Sequence, residues 1–143
     1  MKIKELFDSR DKKKRLSHIR NLIALACSDD KFDEAEGEAI YQIGIQSGLT
    51  EEEINRIFTR PDSIKFYKPE SDLERIEQLY DMVLVMMVDG EIHDNEIHIC
   101  KSIAVMLGFD PEIIGTMVFH VIEGIKNNTA PDVFISELMG KLF

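Results

Sequence analysis

Shifted by 60 residues, the chain lies over itself without a gap. Leu25-Ala26-Cys27-Ser28-Asp29-Asp30-Lys31-Phe32-Asp33-Glu34-Ala35-Glu36 falls on Val85-Met86-Met87-Val88-Asp89-Gly90-Glu91-Ile92-His93-Asp94-Asn95-Glu96. The register holds through Ile43 on Ile103, Gly48 on Gly108, Glu52 on Glu112 and Ile54 on Ile114. An internal repeat of this length decides the architecture before any local signal does. Each half must supply the same plan: an apolar helix, an acidic turn, a helix closed by glycine, and a third helix. The expected fold is all-α, a single domain over 1–143 built from two tandem repeats (about 12–58 and 72–118) around a pseudo-twofold. A C-terminal helix is expected over about 131–142.

Apolar spacing fills in the elements. Leu16, Ile19, Leu22, Ile23 and Ala26 recur at helical intervals and predict a first helix over 11–28. A second is predicted over 34–47, stopped at Gly48. Thr50-Glu51-Glu52-Glu53 reads as a capping box that opens a third through Phe58. Residues 61–68 form the one irregular connector, after which Pro69 is the expected first residue of a helix over 69–88. Helices over 94–107, from Pro111 to about Lys126, and from Pro131 complete a count of about seven. No stretch alternates with period two. Met82 to Val88 is apolar on every side, so Leu84, Val85 and Met86 are expected in the core. The methionines there read as packing residues.

Charge is unevenly spread. The chain of 143 residues carries a net −10. Within residues 1–20, eight Lys or Arg stand against three acids, so the rest is more acidic still. An acidic body argues against nucleic acid and for cations or basic partners. The cluster Lys12-Lys13-Lys14-Arg15 suits a solvated helix turn, or an anionic partner or membrane surface. No apolar run spans a bilayer and no secretory h-region opens the sequence, so a cytoplasmic protein is expected. Cys27 and Cys100 lack CxxC spacing and are expected as buried, reduced thiols. No GxSxG, Walker A or HExxH occurs, and the histidines (18, 93, 98 and 120) are scattered. The expectation is a protein that is not an enzyme, has no small-molecule substrate and works through a protein partner.

The acidic turns carry the chemistry. Asp89-Gly90-Glu91-Ile92-His93-Asp94-Asn95-Glu96 matches the back half of an EF-hand loop, with glycine for the sharp turn and a closing glutamate. The front half is missing, since Val85 and Met87 stand where acids belong, as do Leu25 and Cys27 in the first repeat. A cation site would therefore draw on both turns: Asp29, Asp30, Asp33 and Glu36 facing Asp89, Glu91, Asp94 and Glu96. Oxygen donors favour calcium, magnesium or manganese, and His93 would tilt the site toward a transition metal. The bland reading is helix capping: Asp33 with Glu36, and His93 with Glu96, have capping-box spacing, and first-turn acids complement the helix dipole without any ion.

The pattern of an apolar helix, D-G-x-I-x-x-x-E, a second helix and G-φ, occurring twice in an all-helical chain, resembles the TerB-like (tellurite-resistance protein B) family over about residues 12–125. The family's acidic positions match Asp89 and Glu96 here, and Asp29 and Glu36; Asp30 departs from the pattern by replacing the glycine. The resemblance implies a non-enzymatic helical module of stress response, a divalent-cation site at those acids, and partners in membrane-associated complexes. The alternative is a metal-free acidic scaffold that docks a basic partner.

Overall fold

The computed structural model describes residues 3–29, 33–88 and 90–142, with side chains between residues 11 and 140 except that of Asp29. Seven α-helices are present among them: α1 (Ile3–Ala26), α2 (Glu34–Gln46), α3 (Glu51–Thr59), α4 (Asp72–Met87), α5 (Asp94–Leu107), α6 (Pro111–Lys126) and α7 (Pro131–Leu142). Short 3-10 turns follow α1 (Cys27–Asp29) and α3 (Pro61–Ser63). No strand occurs among the described residues. None of the helices described is long and apolar enough to cross a membrane.

Local chemistry sets the helix ends. Thr50 and Glu53 exchange hydrogen bonds at 3.0 and 3.1 Å, the expected capping box, and Lys12 of α1 reaches Glu53 at 2.7 Å. That ammonium holds the Glu53 carboxyl below the ordinary glutamate range, helped by the Thr50 N–H. Gly48, Gly90 and Gly108 have φ of 97°, 86° and 111°, the left-handed region each turn needs. Asp110 caps α6 through the Glu112 N–H, with Pro111 at the first helical position.

Several expectations need correction. α1 begins at Ile3 rather than near residue 11, because residues 3–10 hold no Pro or Gly to stop it. Pro69 does not start α4: it is buried ahead of Ser71, whose hydroxyl accepts the Glu74 N–H and caps the helix. Cys27 is exposed, at the end of α1, and only Cys100 is buried. Leu84 is partly buried, whereas Val85 and Met86 are fully enclosed. The α4 face that carries Leu84 looks into a groove instead of the core.

One apolar core runs through both halves. Positions 60 residues apart are buried together: Ile19 and Leu79, Leu22 and Met82, Leu25 and Val85, Ile40 and Cys100, Ile54 and Ile114, Ile57 and Met117. The helix contacts follow the exchange of halves. α1 packs on α2, α3 and α5, while α4 packs on α5, α6 and α2. The two long helices thus lie side by side at the centre, each completing the other repeat's core. The halves diverge after the third helix. Pro61 stops α3, because it lacks an N–H and disfavours helical backbone at Arg60, which has φ −138° and ψ 68°. Val121 stands at the equivalent place in the second half, and α6 runs on to Lys126. α7 then packs back on α4 through Tyr80 and Phe134, whose ring centroids are 6.2 Å apart.

Candidate functional site

Of the sequence-derived acids, Glu36 and Glu96 have the most telling placement. They occupy equivalent positions in the first turns of α2 and α5, and their relative exposures are 3% and 1%. A carboxylate so far from water needs compensation by donors, charge or dipole. The positive ends of two helix dipoles supply part of it. In the second half, Glu96 Oε1 accepts the His93 N–H at 3.4 Å and stands 3.9 Å from His93 Nε2. In the first, partial desolvation at the end of α1 pushes up the Cys27 pKa, and the charge of nearby Glu36 adds to the rise.

The remaining acids divide. Asp33 is half-buried and caps α2, its Oδ1 accepting the Ala35 N–H at 2.8 Å. Glu91 and Asp94 are exposed. Asp30 and Asp89, and the side chain of Asp29, lie outside the described residues. The first turn does meet the second repeat: its 3-10 segment packs against α5, the helix opened by the second turn. Among the described residues no group of three His, Cys, Asp or Glu side chains is placed to hold a metal ion. The fit to a hard cation therefore rests on oxygen donors of the right kind, with one buried carboxylate per repeat.

A second feature was not expected from sequence. A groove runs over α4 between α1 and α2, with a volume of about 530 Å³, and continues between α2 and α7 with about 640 Å³; both parts share Ile43, Gln46, Glu77 and Asp81. At its polar end His18 Nε2 meets Asp81 Oδ2 at 2.8 Å, pinning α1 to α4. Ser47 lies in the same end, but its hydroxyl is donated to the Gly44 carbonyl instead of the His–Asp pair. Arg15 donates to the Ser47 carbonyl at 2.8 Å, and Lys14 reaches Glu70 and Glu74 at 3.5 and 3.6 Å. Glu77 is exposed at the rim; desolvation by the groove walls raises its carboxyl pKa, and the charges of Asp81 and Glu74 add to the rise. The one available signal was the acid pair Glu77 and Asp81 set among the apolar positions Leu73, Tyr80 and Leu84 of one helix.

No family model matches the chain, and neither a curated protein nor a solved structure matches it.

Proposed function

We propose that this chain is a non-enzymatic binding module of TerB-like type, whose two acidic turns take a hard divalent cation. The single observation that carries this reading is the burial of Glu36 and Glu96 at equivalent places, each closing a turn that also holds Asp29 or Asp89 in sequence. In the cation-bound form, Glu96 with Asp89, and Glu36 with Asp29, supply carboxylate oxygens, and the ion offsets the repulsion between them. The proposed setting is cytoplasmic, with a protein partner at a membrane-associated complex.

A second reading has its own support: Asp33 accepts the Ala35 N–H and Glu96 the His93 N–H, so these acids already serve as helix caps. On that reading the protein is a metal-free acidic scaffold. Melting curves of wild type and Glu96→Gln, with chelator and with calcium, magnesium, manganese or zinc, separate the two. The cation reading expects wild-type melting to rise with ion concentration, as any ligand of the folded state requires, and the variant to lose that rise. The scaffold reading expects Glu96→Gln to lose about 0.5–2 kcal/mol whether or not ions are present. Indifference of the wild type to all four ions would remove the cation site.

A further inference from the structure

The groove over α4 has a filled twin within the same molecule. On the other half, the segment 64–68 crosses the equivalent place over α1. The Tyr67 N–H donates to Ser17 Oγ at 2.8 Å, and Ile64 and Phe66 pack on the core. Lys68 reaches the end of α5, where a Cβ on Gly108 would stand 3.0 Å from its Cε, and Arg75 of α4 donates to the Pro69 carbonyl.

The 60-residue shift carries the residues around the segment onto the open groove and its end. Ser17 becomes Glu77, Arg75 corresponds to Arg15, Gly108 to Gly48, and Ile103 to Ile43. Burial records the difference. Ser17 is 1% exposed and Ile103 7% exposed, whereas Glu77 is exposed and Ile43 only partly buried. Among the described residues no extended segment covers α4, because α6 continues as helix where α3 was stopped by Pro61, and α7 stands along the far wall.

We propose that this groove is a docking slot for an extended segment of a partner protein that carries lysine or arginine beside apolar residues. The segment is held over α4 as 64–68 is held over α1. The internal twin supplies the shape. α4 supplies the charge, presenting Glu74, Glu77 and Asp81 to the groove. Asp81 is engaged by His18 and Glu74 by Lys14. Glu77 has no ion pair or hydrogen bond among the described residues, and it occupies the place from which Ser17 accepts a backbone N–H. A carboxylate there accepts the same N–H, more strongly than a hydroxyl, and attracts a cationic neighbour. Leu73, which is 45% exposed, and the partly buried Leu84 and Met139 provide the apolar walls. The recognition is of an extended backbone with basic side chains set among apolar ones, the character of Ile64-Lys65-Phe66-Tyr67-Lys68.

That sequence is its own probe. A synthetic peptide with the sequence of residues 63–70 is titrated into the full ¹⁵N-labelled chain in the presence of chelator, so that the outcome is independent of the cation reading. The expected result is saturable shifts of the Gln46, Glu77, Asp81 and Leu84 amides. Affinity should fall at least tenfold for Glu77→Lys, and likewise for a peptide with both lysines replaced by glutamate. Glu77 lies at the surface, so the variant should melt at or slightly above the wild-type temperature. Gln46→Arg on the opposite wall gives a second test, expected to weaken binding in the same way. The proposal is overturned by no shift at millimolar peptide, by equal affinity for Glu77→Lys and wild type, or by shifts confined to Ser17 and Lys68 on the filled side.

Discussion

The outer face of α1 is sealed and the outer face of α4 is not, although one sequence plan wrote both. Over α1, an extended segment hydrogen-bonds to a fully buried serine; over α4, the same position is a glutamate open to solvent. The difference traces to Pro61, which ends α3 and frees eight residues to run back over α1, while Val121 lets α6 continue. Where the 60-residue correspondence is kept, matched positions build core; where it is broken, it leaves a surface with properties of its own.

The strongest test of the shared part is truncation of matched core residues. Ile19 and Leu79 are 60 positions apart, both at 0% exposure, on the two central helices. Replacing either with Ala should cost about 2–5 kcal/mol by chemical denaturation, and the two losses should be similar. Leu84→Ala, in the groove wall, should cost well under either. A large asymmetry between Ile19→Ala and Leu79→Ala would break the equivalence of the halves.

The next test addresses the seal. Ser17→Ala leaves the partly buried Tyr67 N–H without its acceptor, which should cost about 1 kcal/mol. Amide exchange should quicken at Tyr67 before it does elsewhere. A loss within about 0.5 kcal/mol, the surface range, would mean that the segment is only loosely laid over α1.

The smallest expected effect lies at the matched position on the open side. The Glu77 carboxyl pKa is raised in the folded protein, so the folded state holds its proton more readily than the unfolded chain. Its contribution is therefore fully present below the ordinary glutamate pKa and is lost as pH rises through the folded value. At neutral pH the charged form is a small liability, and Glu77→Gln should raise the melting temperature slightly. Because the group is exposed, solvent screening keeps this gain within about 0.5 kcal/mol. The gain should vanish on acidification below the usual glutamate range. A gain that persisted there would assign it to packing instead of charge.

Much of this organisation was legible in the residues. Helices α5 and α6 begin and end where Asp94, Gly108, Pro111 and Lys126 say they should, because caps and stops act locally. Glu36 and Glu96 were identified as a pair from the repeat alone. Their burial was not, since a first-turn glutamate reads the same whether it faces solvent or core. The His18–Asp81 contact spans 63 residues and has no local signature. Leu73 stands at helical spacing with the buried Ile76 and Tyr80, yet it is 45% exposed, because whether α4's outer face is covered depends on where the chain goes after α6. Pro69 misled for a related reason: a proline at the mouth of a helix is also suited to ending an extended segment, and Ser71 was the better cap.

The side-by-side setting of α1 and α4 has a consequence for how the molecule comes apart. Each central helix is shared property: α1 closes on α5, and α4 closes on α2, so neither 60-residue half retains a complete interior when the other leaves. Partial melting of one repeat would strip cover from Ile19, Leu22 and Leu25, or from Leu79, Met82 and Val85, in the repeat that remained. The two halves should therefore unfold in a single cooperative transition, with no half-melted species populated along the way. The slowest-exchanging amides of α1 and α4 should report one common opening energy, equal to that of the whole chain.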